Sequence, residues 1–394
     1  MAQSLKTGER SILATGASDA RYVPTGHLVF ARRGDLMAAA FDPHRRVLTG
    51  AAVVVHESVR HAVNTIGAAH ATFSGQFSIA GNGTLVHLPG GAWSDSECAP
   101  VWVGRDGREE PLNIPPGRYF GIRISPDGQR VIVPRKQDEQ SHLWVFDISR
   151  ETFSRLNLGD VYEHYPVWTP DGERIAYQVG HFPDGTIYWT ESDGGGEAEQ
   201  LTTLPGIPAS WSPDGGSLVF MHPGDGGSVD IWLQPLEGEA RPLIESPYSE
   251  TSPMISPDGR WLAYESDYTG RQEVYVTSFP NPGPRTQVSV KGGAMPVWAP
   301  DGGELFFRAP RTPDGQRSMM VADLTTGDSF SVGQTRELFS GRYFKGSPAR
   351  AYDVSPDGQR LLMCKTLNPL AQRVGEIHLT LNWFTELERL VPMD

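Results

Sequence analysis

The 394-residue chain lacks any run of about 18 apolar residues, so no segment reads as a membrane-spanning helix. Its N-terminus, MAQSLKTGERSILATG, lacks the apolar centre and small-residue cleavage site of a secretory signal. Cysteine is scarce. Only Cys98 and Cys364 occur, in different repeats, so a disulfide is allowed but not implied. Two buried or idle thiols in a reduced protein is the reading taken. Basic clusters are also missing. A formal net charge of −13 with no grouped Lys or Arg disfavours nucleic acid and anionic membrane as partners. Nucleophilic serine chemistry finds no support, because there is no G-x-S-x-G elbow. The histidines His56, His61 and His70 do not follow H-E-x-x-H spacing.

What is abundant is turn chemistry. The chain has 44 glycines and 32 prolines alongside ten Trp, twelve Tyr and sixteen Phe. That mixture fits many short strands joined by tight turns rather than disorder. One phrase recurs: VPTG ending at Gly26, AGNG at Gly83, SPDG at Gly128, TPDG at Gly172, SPDG at Gly215, SPDG at Gly259, APDG at Gly302 and SPDG at Gly358. The spacings are 57, 45, 44, 43, 44, 43 and 56 residues. A period near 44 without helical periodicity matches a four-stranded propeller blade.

The phrase explains itself. Proline presets φ for the second position of a type I turn, Asp accepts backbone N–H bonds, and Gly takes the position where a side chain is costly. Apolar strands flank it, as in PVW and RIAYQV around the corner at Gly172. It is therefore a hairpin corner between first and second strands. Third strands follow, such as HLWVFDI at 142–148 and DIWLQPL at 230–236, and a fourth closes each unit. The tryptophan before the corner is expected to wedge between neighbouring sheets.

These residues resemble the TolB-type propeller repeat, a relative of the WD-type repeat, along essentially the whole chain. GASDARYVPTGHLVFARRGDLMAAAFDP (16–43) and HLTLNWFTELERLVP (378–392) resemble, more closely, the extracytoplasmic propeller portion of bacterial receptor-like serine/threonine kinases. No kinase signature is present, so no kinase activity follows. The resemblance implies an all-β fold: a single β-propeller domain over 1–394, with four-stranded antiparallel blades starting near 18, 73, 119, 163, 206, 249, 293 and 349. Eight motifs suggest eight blades, with a seven-bladed ring as the alternative. Residues 1–15 are expected to complete the last blade as its outer strand and close the ring. FTELERL is left as an edge strand or a short helix. The resembling family is mostly periplasmic or extracytoplasmic.

Function is sought at the starts of the first strands, opposite the corners. The repeated Asp127, Asp171, Asp214, Asp258, Asp301 and Asp357 are excluded, because a residue repeated at one turn serves that turn. The unrepeated rim holds Asp19, Arg21, Arg123, Tyr165, Glu250 and Tyr352 as candidate ligand-binding residues. His164, Glu163 and Arg350 are the catalytic candidates. His164, Asp19 and Glu250 are the metal candidates, for a divalent ion such as calcium or zinc in the central channel. Against a shared ion, adjacent strand residues such as Glu163 and His164 point to opposite faces. Long loops at 56–75, 89–100 and 340–352 add Trp93, Tyr343 and Phe344 as aromatic contacts. Two functions stand side by side. One is a monomeric binding, scaffold or sensor module for a protein, peptide or small molecule. The other is a metal-dependent hydrolase of esters, lactones or phosphotriesters.

Overall fold

A computed structural model of the chain describes residues 2–3, 8, 10–14, 17–32, 34–60, 75–90, 97–119, 121–137, 140–156, 161–312, 315–327, 329–344, 350–367 and 376–393. Where a single domain was expected, the chain divides into two compact units. The first comprises residues 1–96 with 368–394, and the second residues 97–367. Eight antiparallel sheets correspond to the eight corner phrases, six of them in the second unit. A separate two-stranded ribbon pairs Ala2–Gln3 with Arg10–Ser11.

In the second unit the six inner strands are Arg123–Ile124, Glu163–Trp168, Ile207–Trp211, Glu250–Ile255, Ala294–Trp298 and Asp353–Val354. Each packs against the next, and Asp353–Val354 contacts both Arg123–Ile124 and Ala294–Trp298. The circuit is closed. The closing sheet takes two strands from each end of the unit, in the order Glu109–Pro111, Cys98–Gly104, Arg360–Thr366 and Asp353–Val354. Seven consecutive residue pairs join the two halves, from Cys98 opposite Thr366 to Gly104 opposite Arg360. This corrects the expected closure by residues 1–15: the outer strands of the last sheet come from residues 98–111 instead. The cysteines are corrected as well. Cys98 and Cys364 form a disulfide across that same seam, spanning 266 residues of sequence.

The corners are built as their composition demands. Ser125 Oγ donates to Asp127 Oδ1 at 2.5 Å, and that carboxylate accepts from Gln129 N at 3.0 Å. Arg130 N donates back to Ser125 Oγ at 2.9 Å. The same clamp recurs at Thr169–Asp171, Ser212–Asp214, Ser256–Asp258 and Ser355–Asp357. The hydroxyl bond is the leading reason that the carboxyls of Asp127, Asp171, Asp214 and Asp357 lie below the usual carboxylate range. The closing glycines sit in left-handed backbone, with φ between 69° and 73° from Gly128 to Gly358. As expected, tryptophans before the corners fill the space between sheets. Trp168 packs with Ile132 and Val145 of the preceding sheet, and Trp298 with Ala263 and Val274.

Besides that ribbon, the described residues of the first unit form two sheets. Ser18–Tyr22, His27–Arg32 and Asp35–Asp42 form the first, with Val47–Leu48 and Val53–His56 both paired to Asp35–Asp42. The second joins Phe77–Ile79, Leu85–His87 and His378–Thr380. FTELERL resolves as a helix, Trp383–Leu390, whose Trp383 and Leu387 enter a core with Val29, Leu36, Val55 and Leu85. No helix among the described residues is long and apolar enough to cross a membrane.

Two outcomes follow. Replacing Cys98 and Cys364 with serine lowers the unfolding free energy of the second unit by about 2–5 kcal/mol in a denaturant titration, because the bridge closes so long a loop. An unchanged midpoint refutes that role. A fragment of residues 97–367 melts cooperatively on its own, since its ring needs no strand from outside. A broad, non-cooperative melt shows otherwise.

Candidate binding site on the ring axis

The inner strands of the second unit are not regular. Tyr165, Ser252 and Met295 lie in left-handed backbone, with φ of 51°, 50° and 57°, and each precedes a proline. The ladder shifts register at these points, between His164 and Val167, Thr251 and Met254, and Ala294 and Val297. A further shift falls between Pro208 and Ser210. Such bulges re-aim side chains, and proline is tolerated there because no ladder donor is needed. Non-glycine residues at positive φ cost of order 1–3 kcal/mol each and persist only where packing holds them.

The bulges border a narrow cavity of about 10 Å³. Its wall is largely apolar, from Pro208, Ala209, Met221, Met254 and Pro296. Arg123 and Arg350 line it as well. Arg123 is 3 % exposed. Its Nη1 donates to the carbonyls of Ile122 at 2.8 Å and Arg350 at 2.9 Å. Arg350 Nη2 lies 3.6 Å from Asp353 Oδ1, and its Nη1 lies 2.9 Å from Met254 Sδ. The Asp353 carboxylate is also committed to backbone, accepting from Ile124 N at 3.0 Å and Val354 N at 3.1 Å. The Nε atoms of both arginines are buried and make no hydrogen bond. Burial, then the neighbouring Arg350, push the Arg123 guanidinium well below its ordinary range, with Asp353 opposing. Two cations therefore share one carboxylate.

Arg123 and Arg350, both read from sequence, meet in this cavity. The other second-unit candidates do not. His164 is 7 % exposed and packs against Tyr162 and Tyr165, with ring centroids 4.0 and 5.5 Å away. Burial, then His181 and Lys136, hold its pKa down at about 3. Glu163 Oε2 accepts from Leu143 N at 3.0 Å and lies 4.0 Å from His142 Nδ1. Glu250 is fully buried and accepts from the hydroxyls of Ser246 and Ser266, and burial raises its pKa. Tyr165 is buried at its bulge, and Tyr352 donates its hydroxyl to the carbonyl of Met295 in the core. In the first unit, Asp19 and Arg21 form an ion pair at 2.6 Å beside a second pocket lined by Gln76, Phe77 and His87. Among the described residues, no three or more His, Cys, Asp or Glu side chains are placed to hold a metal ion. Trp93, His61 and His70 lie outside the described residues. Tyr343 and Phe344 are used inside the ring: their carbonyls accept from the buried Arg308.

The corner phrase carries no signal for the apolar lining, which lies at the other end of the inner strands. A second recurrence carried the signal: a proline early in the inner strand, in YPVW, IPASW, SPMI and MPVW.

A TolB-type protein of Agrobacterium tumefaciens superposes with a TM-score of 0.58 at 20 % identity, over 69 % of this chain and 99 % of that one. The fold is a TolB-like β-propeller. That coverage equals the share of the chain that the six-sheet unit occupies. By sequence, the chain is 25 % identical over 191 residues to YuxL, an uncharacterized peptidase of Bacillus subtilis, covering 37 % of this chain and 29 % of that protein. It is 28 % identical over 196 residues to the uncharacterized protein Atu1656 of Agrobacterium fabrum, covering 48 % and 65 %. The match thus spans less than two thirds of either relative. No protein-family model matches the chain.

The burial of His164 fixes an expected pH response. Its folded value of about 3 lies below the ordinary 6.5, so between these values the unfolded chain binds a proton that the folded chain does not. Stability present above about pH 6.5 is lost as pH falls through this window. Denaturant titrations at about pH 7 and about pH 5 give a larger loss for the native chain than for His164→Phe. Equal losses contradict the assignment.

Proposed function

We propose that the protein is a binding module that holds a protein, peptide or small-molecule ligand at the axial cavity of the six-sheet ring. The observation that carries this reading is the cavity itself. Unrepeated side chains from several sheets converge there, with buried donors that no residue of the ring engages. The Glu163–His164 pair that motivated a hydrolase is instead spent on backbone support and aromatic packing. The disulfide suits an oxidising compartment, which supports a location outside the cytoplasm.

Selection of displayed random peptides on the intact protein tests the reading. Enriched peptides are expected to lose about tenfold or more in affinity on Ala209→Phe, which fills the cavity, while the melting temperature is retained. Met254→Lys serves as the second variant. Peptides that bind both variants as tightly as the native protein place the site elsewhere and overturn the proposal.

A further inference from the structure

We infer that a cleft between two neighbouring sheets of the second unit binds the guanidinium group of a ligand, with Asp230 as the anchoring carboxylate. The cleft is distinct from the axial cavity, so the two readings stand or fall separately.

The first argument is charge. The cleft lies at the strand ends opposite the corners. Residues 224–228 join the second and third strands of one sheet, residues 245–249 lead from that sheet into Glu250–Ile255 of the next, and Asp267 follows the second strand there. Together they border about 680 Å³. Asp225, Asp230, Glu245 and Asp267 line this space, and no Lys or Arg does. Glu250 is buried beneath, accepting from Ser246 Oγ at 2.8 Å. Among the described residues, none forms an ion pair with any of these five carboxylates. The cations nearby are engaged elsewhere: His222 Nδ1 bonds the carbonyl of Pro205 at 2.8 Å, and Arg285 stacks 3.7 Å from the ring centroid of Tyr268.

The second argument is Asp230 itself. It is 4 % exposed and lines the cleft, so the little access it has opens there. Its Oδ1 meets Ser246 N only at 3.5 Å, longer than an ordinary N–H···O bond. Its Oδ2 accepts no hydrogen bond, and it is not shut off from solvent. Burial pushes this carboxyl above its usual range; Glu245 and Asp225 add to the push, and Ser246 N and His222 oppose it. A buried carboxylate without a partner is costly, and a cation that reaches it relieves that cost.

The third argument is an internal reference. Asp230 and Glu273 hold the same place at the start of the third strand in adjacent sheets: Phe220 lies opposite Trp232 in one, and Tyr264 opposite Tyr275 in the other. Glu273 is fully buried and fully served. It accepts from Arg271 Nε at 2.6 Å, from Gly292 N at 2.9 Å and from Ser289 Oγ. Two residues before Asp230, where Arg271 would stand, the chain has Ser228, whose Oγ donates to the carbonyl of Asp225. The fold thus shows which group this carboxylate position takes, and at Asp230 the chain does not supply it. A planar guanidinium on a stem can donate to the deep carboxylate and to an outer one at once.

Four probes are titrated calorimetrically into the intact protein: an end-blocked tetrapeptide with one arginine, the same peptide with citrulline in its place, agmatine, and calcium chloride. The arginine peptide is expected to bind at least about tenfold more tightly than the citrulline peptide. Agmatine that binds as tightly as the peptide, or more so, identifies a small guanidine as the source, and a tighter peptide identifies an arginine side chain. Asp230→Asn abolishes the preference for arginine over citrulline. Ser228→Arg, which puts a guanidinium where the next sheet carries Arg271, occupies the carboxylate from within and weakens the peptide by about tenfold or more while the melting temperature is retained. This second variant decides the matter should Asp230→Asn fail to fold. Citrulline binding within about twofold of arginine, calcium that displaces the peptide, or no response to either guanidine overturns the inference. So does unchanged affinity in the two variants, which assigns the attraction to the formal net charge of −13 rather than to Asp230.

Discussion

Everything on the axis of the second unit depends on one seam, the pairing of Cys98–Gly104 with Arg360–Thr366. A ring of sheets has no hierarchy of cores. Each sheet packs on its two neighbours, and an open ring would expose a flat sheet edge and let the inner strands drift apart. Joining the first and last strands in one sheet makes the circuit finite, and the Cys98–Cys364 bridge sets a covalent limit on its opening. The same seam carries Asp353, which reaches across to the backbone of Ile124 in the next sheet. Closure and the charge arrangement at the axis are therefore one piece of construction.

Repetition and departure from repetition divide the labour within each sheet. The corners satisfy their own polar groups through a hydroxyl–carboxylate–amide clamp, so they need nothing from outside and offer nothing to a ligand. At the other end of the same strands the pattern breaks. Bulges at Tyr165, Ser252 and Met295 hold strained backbone, and the side chains around them differ from sheet to sheet. A closed ring can fix such irregular strands because both neighbours press on each one.

The sequence made the sheets legible because their corners need Pro, Asp and Gly at fixed places, and those needs are local. It also made Arg123 and Arg350 legible as rim residues, since neither repeats. Closure was not legible. Whether residues 1–15 or 98–111 supply the outer strands of the last sheet is a question of long-range pairing between segments of similar pattern. No local signal in LKTGERSILAT or CAPVWVG decides it. The cysteines followed closure: once the seam is known, Cys98 and Cys364 are near neighbours across it. Glu163, His164 and Glu250 misled for a different reason. A polar residue at a strand start looks the same in sequence whether it faces a channel or accepts from the backbone of an adjoining strand.

The axial arginines also bear on the cost of the site. Burying a guanidinium beside a second one gives up hydration that an imperfect contact with one carboxylate does not return. Apolar residues of similar volume would pack the same space between prolines and methionines with less penalty. Stability of the ring therefore gives no reason for Arg123 and Arg350 to be where they are. The strained positions beside them point the same way, since regular strands would close the ring without that strain. The charge and the strain fall at the one place where several sheets face each other across a shared space. They are explained together if the ring's rigidity, set by its seam, is used to hold an unfavourable arrangement ready for a ligand that relieves it.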